Sequence, residues 1–131
     1  MSSSGPSPIS IGDAIAELRF LPDRTPSTTA DQSAGSFSEL STYRDGGIFV
    51  GHWAGRSEWE RHAVGDEIVM VVGGQTTIVF LTDGGEQAAD LRAGELVVVP
   101  AGMWHRFETA ERVQLMTATP QPTDHSVTRP G

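Results

Sequence analysis

Residues 94–105 read GELVVVPAGMWH, and this stretch decides the fold. The apolar run ahead of Pro100 has the length and β-branched content of a short strand. Pro100 and Gly102 end it, because proline fixes φ and lacks an N–H while glycine tolerates positive φ. The Pro-x-Gly turn then delivers His105 onto the next strand. A second frame lies upstream. Glu60-Arg61-His62 precedes a turn through Gly65-Asp66, Glu67 opens the apolar run 68–72, and Gly73-Gly74 follows. Residues two apart in a strand share a face. Glu60 and His62 therefore project together, with Trp59 and Arg61 opposite. Glu67 shares a face with Val69 and Val71. His105 shares one with Phe107, opposed by Trp104 and Arg106.

Outward from these frames the pattern is almost entirely β. Strands are predicted over 37–43, 48–53, 57–62, 67–72, 75–81, 88–91, 95–99, 103–109 and 112–118. Asp45-Gly46 and Asp83-Gly84 between apolar runs are hairpin signals. About nine short strands at close spacing with glycine-rich turns mark a sandwich or barrel. Before them, Ser10 has capping-box spacing to Asp13, and Ile11, Ile15 and Leu18 fall on one helical face. The spacing predicts one short N-terminal helix that Pro22 stops. Residues 26–36 read as irregular. The division expected is a mobile arm over 1–8, one domain over 9–118, and a flexible, proline-containing C-terminal tail over 119–131.

Composition narrows the function. The 131 residues suit one domain, and the absence of cysteine excludes disulfides and thiolate ligands. The net charge of -8 and the lack of a basic run argue against nucleic acid and against anionic membranes. Every basic residue other than histidine is arginine, which excludes Schiff-base chemistry through lysine. No secretory signal or membrane-length apolar run is visible, so a soluble cytoplasmic protein is expected.

Two imidazoles and two carboxylates, Glu60, His62, Glu67 and His105, suit a first-row divalent metal if their strands are neighbours. Two histidines with one carboxylate form the facial triad of non-haem iron, and a second carboxylate also suits manganese or zinc. Both frames resemble the cupin superfamily. Its first motif, G-x5-H-x-H-x3,4-E-x6-G, is met by His62, Glu67 and Gly74, with Glu60 replacing the first histidine and Ala54, beside Gly55, at the leading glycine. Its second, G-x5-P-x-G-x2-H-x3-N, is met by Gly94, Pro100, Gly102 and His105, with Thr109 in the last position. The resemblance implies an all-β double-stranded β-helix, the jelly-roll barrel. It also implies a divalent metal (iron, manganese, zinc, nickel or copper) and a homodimer. His62, Glu67 and His105 become ligands, with Glu60 in the fourth ligand position or acting as acid/base.

The function expected is a metal-dependent enzyme acting on a small organic molecule, of oxygenase or isomerase type. The alternative is a non-catalytic domain that binds or senses a small molecule. Trp59 and Trp104 are expected on the outer sheet face or at an interface, and Ile68, Met70 and Val72 on that outward phase also need cover. His52 is read as a surface residue and His125 as solvated. Arg44, Arg61 and Arg106 are read as surface charges.

Overall fold

The computed structural model describes residues 5–131. Of the expected N-terminal arm, residues 1–4 lie outside the described residues, and 5–8 have no regular structure. Helix α1 (Ile11–Ala16) starts where predicted, with the Ser10 side chain accepting from the Asp13 N–H. It ends at the Glu17 cap, well before Pro22. The reason is tertiary. Leu21 is buried, and Leu21–Arg24 is drawn out as β1, parallel to the third strand. The segment read as irregular holds a second helix, α2 (Ala30–Ser33), closed at its start by a capping box between Thr29 and Gln32.

The remaining strands are β2 (Phe37–Tyr43), β3 (Gly46–Arg56), β4 (Trp59–Arg61), β5 (Glu67–Thr82), β6 (Gly85–Arg92), β7 (Leu96–Val99), β8 (His105–Pro120) and β9 (Asp124–Ser126). There are nine among the described residues, but not the nine predicted. The runs 67–72 and 75–81 fuse into β5, and 103–109 with 112–118 fuse into β8. Gly73-Gly74 and Ala110-Glu111, read as turns, are irregularities within continuing ladders, where the register shifts and the long strands bend. The two unpredicted strands are β1 and β9.

β8 is the axis of the jelly roll. One edge carries β5; the other carries β3 and then β4. The far edge of β5 is covered by β7 along its first residues and by β6 along its last. The core lies between the curled halves, around Trp53, Val69, Val71, Ile78, Phe107, Val113 and Leu115. Burial alternates along β5 and at the start of β8, so Glu67 and His105 point inward with their apolar neighbours, as the two-residue period requires.

The outward aromatic residues are covered within the chain. Trp59 is buried, with the Arg106 guanidinium 5.3 Å from its ring centre, and Arg61 covers Trp104 at 4.6 Å. Trp59 is thus no free surface. Ile68, Val72, Leu96 and Val98 do remain exposed on the outer face of β5 and β7. Among the described residues, no helix is long and apolar enough to cross a membrane.

Candidate metal centre

Glu60 pairs with His105 across β4 and β8, so the first and second frames meet directly. The turns between them are tied as well. The Gly102 N–H donates to the His62 carbonyl at 2.9 Å, and the Ala101 N–H to Asp66 Oδ1 at 2.9 Å. Gly102 holds φ at +81°, a left-handed conformation that a side chain would strain. The Pro-x-Gly turn therefore sets the end of β4 as well as the start of β8.

The structure brings all four predicted residues together. His62, Glu67 and His105 are buried. Glu67 lies between the imidazoles, with His105 Nε2 at 3.0 Å from Oε1 and His62 Nε2 at 3.3 Å from Oε2. The rings stand 5.4 Å apart and tilted at 48°. Glu60, half-buried, places a carboxylate oxygen within 4.8 Å of a nitrogen of each histidine.

The far sides of the imidazoles are held. His105 Nδ1 lies 3.1 Å from the Met103 carbonyl, which can only accept, so Nδ1 carries the proton. Thr123 Oγ1 donates to Gln121 Oε1 at 3.2 Å, so it accepts from His62 Nδ1 at 3.0 Å. In their neutral forms both rings then present the Nε2 lone pair inward. Thr119 Oγ1 donates to Glu67 Oε2 at 2.6 Å. His62 Nε2, His105 Nε2 and Glu67 Oε1 are buried and, among the described residues, lie at ion-pair distance within the Glu67–histidine cluster without making a hydrogen bond of good geometry. Such orphaned polar atoms are costly, and here three of them converge. Two donors at right angles, each about 2.1 Å from one ion, stand about 3 Å apart. That is the spacing seen between Glu67 and each imidazole, so the residues fit a divalent metal.

Charge acts in the same place. Burial works to raise the Glu67 carboxyl, but His105 and His62 overcome it and hold the group at about 2. Burial works to lower His105, but Glu67, with help from the Met103 carbonyl and Glu60, holds the imidazolium above its ordinary value. Glu60 is pushed up by burial and by the Glu67 charge, with Arg24 and the two histidines opposing.

A cavity of about 440 Å³ opens above Glu60 and Glu67. Phe37, Phe49 and Phe107 form its apolar wall, and Arg24 and Thr123 contribute polar groups. Several of these residues were not found by reading the sequence. Thr119, Gln121, Thr123 and His125 come from the segment expected to be a free tail. That segment instead extends β8 to Pro120 and returns as β9, pairing with β4. His125 pairs with Glu60 in the ladder, and its Nδ1 lies 2.6 Å from Glu58 Oε1. Glu58, Glu60 and His125 form a second close group within 4.8 Å. His52 lies apart from the site, half-buried against Phe20. Thr109, in the motif's last position, is buried and bonds Thr76 at 2.8 Å.

The family model described as cupin domain matches residues 51–118, just over half of the chain. No curated protein sequence matches. Among solved structures, the chain is similar to a cupin-2 domain containing protein from Shewanella frigidimarina. Identity is 29%, coverage is 66% of this chain and 80% of that one, and the TM-score is 0.57. It shares its fold with a protein from Neisseria meningitidis at 18% identity, covering 92% of this chain and all of that one, with a TM-score of 0.60. A hydroquinone 1,2-dioxygenase in complex with Cd2+ and 4-hydroxybenzonitrile is similar at 18% identity and a TM-score of 0.55. There the match covers 64% of this chain and 63% of the dioxygenase.

Proposed function

The chain belongs to the cupin domain family, and from that premise we propose that it is a divalent-metal-dependent enzyme acting on a small organic molecule. His62, Glu67 and His105 hold the metal, and Glu60, facing the cavity, is either the fourth donor or, when not bound to the metal, the acid/base. The observation that carries this reading is the convergence, beneath a cavity, of three buried donor atoms that make no hydrogen bond among the described residues. The fold is also one in which a similar structure holds Cd2+. Iron, manganese, zinc and nickel all accept this nitrogen and oxygen set.

When bound, the metal supplies Lewis acidity toward an oxygen of the substrate or of water. The chain's own residues do the rest. Met103 and Thr123 hold the imidazole tautomers, Thr119 holds Glu67, and Glu60 stands where it can take a proton from a molecule in the cavity. An oxygenase or isomerase type of reaction suits such a site, because the cavity admits a small organic molecule beside the metal. We extend the reading to a homodimer formed through the exposed Ile68, Val72, Leu96 and Val98 face. Apolar surface of this kind is covered in stable assemblies.

The test is elemental analysis of tag-free protein never exposed to a nickel column, beside a His62→Ala/His105→Ala control. About one metal per chain, lost in the control, is expected for a single His/carboxylate centre. Metal absent from the unaltered protein, even after incubation with iron, manganese and zinc, would reject the reading.

A further inference from the structure

Arg24 lines the cavity, and its side chain makes no hydrogen bond among the described residues. It enters from β1, paired with Gly55 of β3, and its side chain is only 16% exposed. Its guanidinium lies over the Trp53 ring at 4.6 Å and the Phe37 ring at 5.0 Å. These two aromatic contacts hold the guanidinium in place and shield part of it from water. Its nearest carboxylate among the described residues is Glu60, whose Oε1 is 3.9 Å from one terminal nitrogen, beyond hydrogen-bond reach. The Glu60 carboxylate is also within 4.8 Å of a nitrogen of each imidazole, so it lies between them and Arg24 and occupies neither arm of the guanidinium fork. A planar guanidinium stacked on aromatic faces, with no bidentate partner, is built to take a carboxylate through two parallel N–H···O bonds.

We propose that Arg24 is the recognition site for a carboxylate group, and that the protein's ligand is a small, flat, largely apolar carboxylic acid. The carboxylate sits on Arg24. The body of the molecule lies against Phe37, Phe49 and Phe107, and its far end points toward Glu60 and Glu67. A cavity of about 440 Å³ holds one small aromatic acid. The placement of the far end rests on the metal reading above; the carboxylate contact does not.

The probes are benzoate and its neutral counterpart benzamide, titrated into the full chain by calorimetry with Zn2+ added and again after chelation. Saturable benzoate binding is expected in both states, with benzamide weaker by at least about tenfold, the worth of a hydrogen-bonded charge pair. Arg24→Gln should weaken benzoate by a similar factor, leave benzamide unchanged and keep the metal content of the unaltered chain. No saturable benzoate binding, benzamide as tight as benzoate, or undiminished benzoate binding by a folded Arg24→Gln protein would overturn the proposal. The benzoate and benzamide comparison in the chelated, unaltered protein, where no metal can take the carboxylate, tests the proposal even if the variant does not fold. Benzoate binding that discriminates against benzamide in a protein that takes up no metal supports the Arg24 site while removing the metal reading.

Discussion

Thr119→Val isolates one contact of the proposed metal centre. The threonine hydroxyl donates to Glu67 Oε2 at 2.6 Å, and Thr117 donates to it in turn at 2.7 Å. Both Thr119 and Glu67 are buried, so water does not readily replace the lost donor. Valine keeps the shape and removes the hydrogen. A hydrogen bond to a charged group is worth about 1.5–3 kcal/mol. At about 1.4 kcal/mol per factor of ten, metal affinity should fall roughly tenfold to a hundredfold. That agrees with the range of about 10–100-fold expected for outer-shell partners of metal ligands. The assay is competition between the protein and a chromophoric chelator for Zn2+ at neutral pH, with circular dichroism confirming the fold. Thr119→Ser keeps the hydroxyl and should retain most of the affinity. A folded Thr119→Val protein that binds Zn2+ as tightly as the unaltered chain would refute the reasoning, because the contact would then be packing alone.

The pH dependence of the metal-free protein follows from the same groups. Glu67 is depressed to about 2, so its contribution is present above its unfolded value near 4.5 and is lost as pH falls through about 2. His105 is raised, so its contribution is complete below about 6.5 and is lost as pH rises through the elevated value. Glu60, raised by burial, also favours the more acidic side. The thermal midpoint of chelated protein should therefore fall as pH rises from about 6.5 through the elevated His105 value, and a midpoint that rises over this interval would contradict the assignment. Gly55→Ala tests how Arg24 is placed. Gly55 has φ of +111°, and an added Cβ would stand 2.1 Å from the Arg24 carbonyl oxygen. The backbone of β1 must then move, with a stability loss of at least about 1–3 kcal/mol from the strained conformation alone. Denaturant unfolding should show that loss, and benzoate binding should weaken with it. A Gly55→Ala protein of unchanged stability and unchanged benzoate affinity would show that β1 is not held by this close approach.

How much was legible differs from residue to residue. The two-residue period assigns Glu67 and His105 inward, and the burial pattern of β5 and β8 agrees. The helix start at Ser10 is written in its capping residues. Gly73-Gly74 misleads, because a pair of glycines serves equally well in a turn or in a bend within a continuing strand. The strand period places Trp59 on the outward phase, but its cover by Arg106 has no local signal, since that partner comes from β8. The segment after Ala118 reads as a tail because it is polar and contains prolines. Its polarity instead reflects the buried polar groups that Thr119 and Thr123 satisfy.

The all-β class, the Pro-x-Gly turn, the inward phase of Glu67 and His105 and the cupin membership that follows from both motifs are all written in the chain. Each of these rests on stereochemistry acting over a few residues, the strand period or the φ range of proline and glycine. Long-range strand pairing is what brings Arg24, Thr119 and Thr123 to this cluster and its cavity. They arrive through β1 against β3, β8 against β5, and β9 against β4. Pairing between distant segments is selected by the burial of the whole sheet, and it leaves no periodic mark in the residues it brings together.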